Sequence, residues 1–529
     1  MTVVDNPVDT DAPVRQSRRT RLMRAGLLFA TFACAACGLV YELALVAQGS
    51  YLLGDSITQA SVVLATMVFA MGIGSLAAKP LQRRALASFA VIEAVLALVG
   101  GLSVLGLHAA FTWLDLYWPA LIAISLIVGG LIGAEIPLLM TLLQRIRRQD
   151  AGSATADLFA ADYVGALVGG LAFPFLLLPL LGQTRGALLV GMVNAVAGAC
   201  VVLFLFARTV TRRRRLAVAA GTLAVLAVLG VAFASSDTFL RYSRDVLYRD
   251  PVVYQETTSY QEIVVTESSP VAGGAPDTRL FLNGDLQFSS IDEYRYHEAL
   301  AHPVLAGKRD RVLVLGGGDG LALREVLRYP DVREVVEVEL DPAVLRLARQ
   351  NPTLRALNED SLADPRVRVV ADDAFAWLRD NSARFDAVIV DMPDPDSTAT
   401  AKLYSHEFYL LARRALAPGG RMVVQAGSPY FAPRTFDCVL ASMRAAGLAV
   451  TPYHVNVPTF GDWGFVLAQE GEAPTPRLDP PEPLRFLDAD VLASAQVFPA
   501  DRRPTGEGVP STLDDPRVLR LSTDEWQQY

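Results

Sequence analysis

The chain has 529 residues and a formal net charge of −8, which is enough length for two or three domains. That charge hides a division: residues 22–234 are very apolar, and the rest has the composition of ordinary soluble protein. The four cysteines do not make a disulfide framework, because Cys34, Cys37 and Cys200 fall in apolar stretches and only Cys438 lies in the soluble part.

A short polar arm, residues 1–24, comes first and is expected to be disordered. Apolar segments near 25–47, 57–78, 85–107, 119–143, 158–181, 185–207 and 216–234 follow. Each approaches or exceeds the roughly 20 residues that cross a bilayer, so 25–236 reads as a multi-pass α-helical domain with about seven spans in a cell membrane. The first segment is too long for a cleaved signal peptide, and more spans follow it. Basic residues alternate along this region. Arg15, Arg18, Arg19, Arg21 and Arg24 precede the first span; Lys79, Arg83 and Arg84 follow the second; Arg145, Arg147 and Arg148 follow the fourth; Arg208 and Arg212 to Arg215 follow the sixth. The intervening loops carry Asp55, Asp115 and Arg185. By the positive-inside rule the N-terminus is cytoplasmic. Seven spans would then put the C-terminal half outside, whereas a cytosolic metabolite requires it inside. A re-entrant segment at 164–182 would reverse the count, so the side of the C-terminal half is left open.

Several polar residues lie inside the spans, among them Glu42, Glu93, Glu135, Asp162 and Asn194. Membrane carboxylates usually face a protein interior or a wet cavity. Glu135 is close to Pro137, and Asp162 precedes Gly165, Gly169 and Gly170, a pattern expected of broken helices lining a pathway for cations or protons. The alternative is structural pairing within the bundle. Cys34 and Cys37 have CxxC spacing, but in a membrane-length helix they read as two small residues at a helix contact.

The pattern changes near 250. Val252-Val253-Tyr254 and Ile263-Val264-Val265 read as short strands, and Asn283-Gly284 joins Arg279–Leu282 to Leu286–Phe288 as a hairpin. Residues 250–290 thus form a small β-rich region, and a helix near Asp292–His302 follows. From 291 to 469 strands and helices alternate, with strands near 311–315, 334–339, 366–370, 386–391 and 421–425. This predicts a doubly wound, Rossmann-like α/β domain, with 449–454 and 463–468 as an antiparallel edge pair. The C-terminal tail, 470–529, is rich in Pro and charge.

The strand ends carry the chemistry. Gly316-Gly317-Gly318-Asp319-Gly320 follows the first strand, Glu339-Leu340-Asp341 ends the second, Asp372-Asp373-Ala374 follows the third and Asp391-Met392-Pro393-Asp394-Pro395 ends the fourth. In an open parallel sheet these ends line one crevice. Glycines allow a sharp turn and close approach to a ligand, and Glu339 is placed to accept from ribose hydroxyls. For Asp372 and Asp373 a helix N-cap is the competing reading. A methyl donor such as S-adenosylmethionine carries a carboxylate, which Asp319, Asp391 and Asp394 would repel. An ammonium tail suits them, so the pocket favours a decarboxylated donor and a polyamine. Crowded carboxylates also raise one another's pKa, which helps one act as a base.

Together these residues resemble the spermidine synthase family of polyamine aminopropyltransferases, in its membrane-anchored bacterial form. The resemblance covers roughly 252–469. It includes Tyr260-Gln261-Glu262, Tyr296-His297-Glu298 and Val457-Pro458-Thr459-Phe460 besides the strand ends. It implies an enzyme of spermidine biosynthesis that transfers an aminopropyl group from decarboxylated S-adenosylmethionine, a co-substrate, to putrescine by default. No permanently bound cofactor and no metal are implied. Position by position it implies that Gln261, Gly316, Gly318, Glu339, Asp373 and Ala374 hold the donor nucleoside. Tyr296, His297, Asp319 and Asp394 would hold the amines, and Asp391 would be the catalytic base. Two departures stand out: Asp396 to Thr400 replaces the family's Gly-Pro, and Phe460 stands where a Tyr is common. The rival readings are a small-molecule methyltransferase and a polyamine transporter or sensor. The expected partners are the polyamine and the bilayer. No nucleic acid partner is expected, because the arginine clusters border spans, and a homo-oligomer is left open.

Overall fold

The computed structural model describes residues 18–53, 56–114, 116–146, 151–248, 250–268 and 276–528. Residues 1–17 of the expected arm, with Arg15, lie outside the described residues, as do the loop residues Asp55, Asp115, Arg147 and Arg148. The chain divides into two compact units, one ending at Leu247 and one beginning at Tyr248.

Among its described residues the first unit has seven α-helices: α1 (Arg18–Leu53), α2 (Ser56–Ala77), α3 (Ala85–Ala109), α4 (Tyr117–Ile146), α5 (Ala151–Ala172), α6 (Leu178–Cys200) and α7 (Arg212–Tyr248). Among the described residues, 18–24 are part of helix α1. Six helical stretches among the described residues are long and apolar enough to cross a membrane; one of them, Thr155–Leu205, runs 51 residues. That is more than twice the roughly 20 residues a crossing needs. It leaves helical geometry at Gly182, where φ is 69° and ψ 178°, at the boundary between the expected fifth and sixth segments.

The glycines of α5 act differently from expectation. The helix runs unbroken through Gly165 and Gly169, where a Cβ would fall 2.2 Å from the Phe32 carbonyl oxygen and 2.3 Å from that of Ala36. They let α5 lie directly on the backbone of α1, the small-residue packing common between apolar helices. Pro137 likewise lies within a continuous α4.

The second unit opens with an antiparallel sheet of β1 (Val252–Thr257), β2 (Glu262–Glu267), β3 (Thr278–Leu282) and β4 (Asp285–Ser289) in sequential order. The β3–β4 turn is Asn283-Gly284, both with positive φ (53° and 94°), as a tight hairpin requires. Helix α8 (Glu293–Leu305) leads to β5 (Arg311–Gly316), α9 (Leu321–Leu327), β6 (Glu334–Glu339), α10 (Pro342–Gln350), α11 (Pro352–Asn358) and β7 (Val367–Ala371). Then come α12 (Ala374–Asp380), β8 (Phe385–Asp391), α13 (Thr398–Ala401), α14 (His406–Arg414), β9 (Leu416–Gln425), α15 (Pro433–Ala445), β10 (Ala449–Val457) and β11 (Gly461–Gln469). Helices α16 (Ala489–Ser494) and α17 (Arg517–Trp526) close the chain.

The seven-stranded sheet has the order β10-β11-β9-β8-β5-β6-β7. Strands β5 to β9 are parallel, and β10 and β11 are antiparallel to each other, with β11 antiparallel to β9. Alternate residues feed two cores. Leu313, Leu315, Val388 and Val390 pack on one face with Phe408 and Phe436; Val312, Val314, Ala387 and Ile389 pack on the other with Leu300 and Val326. Strand order reverses between β5 and β8, which makes their C-terminal ends the switch point where such sheets bind ligands.

The stretch after 470 is part of this unit's core. Leu487, Leu492 and Ala495 join one face, and Phe498 and Val518 join the other. Glu298 accepts the N–H groups of Arg485, Phe486 and Leu487, each at 2.8 Å. Glu525 accepts those of Arg434 and Thr435 at the start of α15.

Candidate active site

At the switch point Gly316 pairs in parallel register with Asp391. Gly316 has φ 78°, and a Cβ there would lie 2.0 Å from the Asp391 carbonyl oxygen. Only glycine allows both the left-handed turn and this approach. Two residues on, a Cβ at Gly318 would lie 2.6 Å from Glu339 Cγ and 2.7 Å from its Oε2. The loop is therefore pressed against acids on both neighbouring strands.

Those acids are half-buried and set close together. Asp391 is pushed up to about 6, first by burial and then by the charge of Asp319, while His297 and a hydrogen bond from Tyr296 oppose the rise. Tyr296 Oη on α8 donates to Asp391 Oδ1 at 2.6 Å. Asp319 is also raised by burial, against the pull of His297 and the Leu321 N–H, which donates to its Oδ1 at 2.8 Å. Burial lifts Glu339 to about 7, although the N–H groups of Asp341 and Gly318 donate to it. Asp394 rises to about 6 by burial, against the Gln425 amide, whose Nε2 donates to Asp394 Oδ1 at 3.1 Å.

His297 is fully enclosed, and burial alone would disfavour its charge. Glu293, one turn earlier on α8, reverses this: its Oε2 lies 2.9 Å from His297 Nδ1, and Asp319 and Asp391 add to the pull, so the imidazole's pKa is raised. Arg324 on α9 holds Glu293 with two N–H donors at 3.0 and 2.9 Å.

The β1–β2 turn is joined to the end of β6 through Asp341. Its Oδ1 accepts from the Ala343 N–H at the start of α10, and its Oδ2 accepts from Thr258 Oγ1 at 2.7 Å and Gln261 Nε2 at 3.3 Å. Asp341 N–H in turn donates to Glu339 Oε1 at 2.9 Å. Gln261 from the β1–β2 turn is thus tied to the Glu339 strand end, 80 residues from its partner Asp341.

Asp373 sits at the end of β7 as expected, but both its oxygens are engaged. Oδ1 accepts the N–H groups of Phe375 and Ala376 as the cap of α12, and Oδ2 pairs with Lys402 at 2.5 Å. Burial raises its pKa, but Lys402 and these N–H groups outweigh that and hold it below the ordinary value. Ala374 is buried at the first position of α12. The helix-cap reading accounts for Asp373 as it stands. The loop that departs from the family pattern forms a capped turn, with Ser397 and Thr400 capping each other around α13. Phe460 packs edge-on against Tyr296, ring centroids 6.0 Å apart.

Four participants were not singled out from sequence. Gln425 ends β9, a fifth polar strand end, so the rule that found the others would have reached it. Glu293 precedes His297 by four residues on one helix, also a legible spacing. Asp285 on β4 has no such signal: the residue is exposed as a whole, yet its carboxyl group is turned against Asp396. Burial and the charge and hydrogen bond of Asp396 lift it to about 7. Glu337 is fully buried on β6 with neither oxygen hydrogen-bonded among the described residues. Burial, Glu339, Asp319 and Asp391 raise its pKa well above the ordinary value and favour its neutral form.

Residues 293–479 match the Spermine/spermidine synthase domain family. The chain is 60% identical over 513 residues to polyamine aminopropyltransferase 1 of Streptomyces coelicolor, covering 96% of each chain. It is 50% identical over 514 residues to the polyamine aminopropyltransferase of Mycobacterium tuberculosis, covering 95% of this chain and 97% of that one. A crystal structure of spermidine synthase in complex with the transition state analogue AdoDATO is similar at 26% identity and TM-score 0.42, over 47% of this chain and 85% of that one. The likeness to the two full-length relatives runs through both units and the whole crevice, and on it this chain belongs to the spermine/spermidine synthase family of polyamine aminopropyltransferases.

Proposed function

We propose that the crevice transfers an aminopropyl group from decarboxylated S-adenosylmethionine to putrescine, releasing spermidine and methylthioadenosine. One observation carries the reading: Asp391 feels the charge of Asp319 beside a loop that would receive the donor's tail, and Tyr296 feels both Asp391 and Asp394. That field attracts an ammonium and repels the carboxylate of intact S-adenosylmethionine. Gln261 and Glu339 would hold the nucleoside, with Gly316 and Gly318 giving close backbone approach. Asp373 and Ala374 would border the adenine by position, the Asp373 carboxylate remaining a cap.

In the transfer, Asp391 accepts a proton from the acceptor's ammonium, which is otherwise charged at neutral pH. The freed nitrogen lone pair attacks the methylene carbon beside the sulfonium. The carbon–sulfur bond breaks, its electron pair passes to sulfur, and neutral methylthioadenosine leaves. Tyr296 orients Asp391, and His297 supports the charge balance between Asp391 and Asp319. Asp394, with Asp285 and Asp396 beyond it, anchors the distal ammonium. Base catalysis and positioning each supply orders of magnitude in such reactions.

The N-terminal unit is proposed as a membrane anchor with its N-terminus cytoplasmic. Support comes from its apolar helices and from uncovered side chains such as Phe175, Leu180, Phe204 and Val231, which are 70–78% exposed. Reporter fusions after residues 209 and 529 would place the two ends of α7.

The decisive experiment incubates the full-length protein in detergent with decarboxylated donor and a panel of diamines, with products read by mass spectrometry. Spermidine and methylthioadenosine are the expected products. Methylated products from intact S-adenosylmethionine would replace this reading with a methyltransferase, and binding without turnover would replace it with a sensor.

A further inference from the structure

The aminopropyl reaction leaves Cys34 unexplained. In the N-terminal unit this thiol meets two acids from other helices. Cys34 on α1, Glu93 on α3 and Glu135 on α4 each offer a ligand atom, and these atoms all lie within 4.8 Å of one another. Cys34 and Glu93 are 1% exposed and Glu135 5%. Asn194 on α6 joins them: its Nδ2 donates to Glu93 Oε2 at 2.9 Å, the oxygen that also lies 3.6 Å from Cys34 Sγ. Glu93 Oε1 and Asn194 Oδ1 have no hydrogen-bond partner among the described residues, although Asn194 is fully buried.

Two carboxyls and a thiol are therefore gathered where water does not reach, with the Asn194 amide bonded to one of them. Buried polar atoms are normally satisfied, and buried charges paired or bound to metal. Among the described residues the ion pairs of this unit, Arg24–Asp157 and Arg185–Asp237, involve none of these side chains. A compact cation would satisfy the whole set at once.

We propose that Cys34, Glu93 and Glu135, with the Asn194 amide holding Glu93 in place, bind one divalent transition-metal ion of the Zn2+ type. Sulfur in the donor set selects against Mg2+ and Ca2+, which take oxygen. Zinc bonds of about 2.3 Å to sulfur and about 2.0–2.2 Å to carboxylate put donors within roughly 4.5 Å of each other, so the observed set closes on an ion with small side-chain shifts. An alkylammonium would use oxygen acceptors and leave the sulfur idle. It would also need room for its chain, yet a Cβ on Gly198 would fall 2.5 Å from Glu93 Cβ, so the helices are already in contact there. With ligands from three helices and none exposed, the ion would be structural, pinning α1, α3 and α4. CxxC spacing does not enter: Cys37 is not among the grouped ligands. Under the proposal Cys34, beyond its place at a helix contact, is a thiol ligand whose partners lie 59 residues and more along the chain.

The test uses full-length protein in detergent, stripped by chelator and reloaded with Zn2+ or Co2+. One Zn2+ per chain by elemental analysis is expected, with a thiolate-to-cobalt charge-transfer band in the Co2+ form. Cys34→Ser should abolish that band, and Cys37→Ser should keep it. Glu93→Gln and Glu135→Gln should each weaken binding by more than about 10-fold, the loss that even an outer-shell partner causes. Should the variants fail to fold, the wild-type cobalt spectrum and X-ray absorption at the zinc edge, which must show one sulfur neighbour, decide alone. Folded wild-type protein that takes up no stoichiometric metal overturns the proposal. So does binding that survives Cys34→Ser, or protection of Cys34 from thiol reagents by spermidine but not by Zn2+. Aminopropyl transfer, assayed separately, reports on the other unit and leaves the two readings distinguishable.

Discussion

Tyr296 Oη donates to Asp391 Oδ1 at 2.6 Å, joining a residue on α8 to the end of β8 across 95 positions of sequence. The bond steadies the proposed base and lowers its pKa, while burial raises it. Tyr296→Phe should reduce kcat/KM by about 10–100-fold, the loss typical of a hydrogen bond to a charged group. It should also move the acid limb of the pH–rate profile to higher pH. An unchanged rate and profile would reduce Tyr296 to a packing residue.

Asp391→Asn keeps the shape but cannot accept a proton. Turnover should fall by about 10²–10⁴-fold, the range for loss of a general base. Methylthioadenosine affinity, measured by calorimetry, should stay within a few-fold. Retention of most activity would remove Asp391 from the base role.

Glu339→Gln should weaken methylthioadenosine binding by about 1–3 kcal/mol, because an amide accepts on one atom only. The backbone N–H of Asp341 already donates to this side chain. Lost thermal stability with unchanged affinity would assign Glu339 to holding the strand end instead.

Gly318→Ala places a Cβ 2.6–2.9 Å from three atoms of Glu339. Overpacking of this kind costs about 1–3 kcal/mol of stability. Displacing Glu339 should raise the KM for the donor more than that for the amine. Equal KM changes for both substrates, measured by steady-state kinetics, would contradict the placement of the loop on the donor side.

Asp391 and Asp394 at about 6 and Glu339 at about 7 bind protons more tightly in the folded chain than unfolded carboxyls do. Folded protein therefore holds more protons than unfolded protein between about pH 4 and 7, and stability falls as pH rises through that window. His297, also raised, acts in the same direction. Without ligand, the Tm should drop from pH 5 to pH 7.5. The stabilisation given by a cationic polyamine should grow over the same interval, as the carboxylates ionise. Activity should fall below about pH 6, where Asp391 becomes protonated. A flat Tm and a flat rate across this range would exclude the raised pKa values.

Much of the second unit was legible from short windows of sequence. Apolar strands of five to seven residues, the Asn283-Gly284 turn, the glycines after β5 and the acids at four strand ends all express local rules. Each depends on one residue's φ/ψ preference or on alternation along one strand. Residues 470–529 were opaque because their contribution is non-local: Phe498 and Val518 have meaning only against the sheet they cover.

What the sequence alone determined is the kind of site: an acidic crevice at strand ends, shaped by glycine, with Tyr296, His297, Asp319, Asp391 and Asp394 as its proposed amine-facing residues. Tertiary structure decided how each acid is occupied. Asp373 and Glu339 look alike in sequence, each at a strand end before a helix. Lys402, 29 residues away, engages one and not the other. Asp285 meets Asp396, and Cys34 meets Glu93 and Glu135, by the same logic. Local preference is set by bonds along the chain and can be read in order. Charge balance is set by whatever lies within a few ångströms, and only the fold chooses those neighbours.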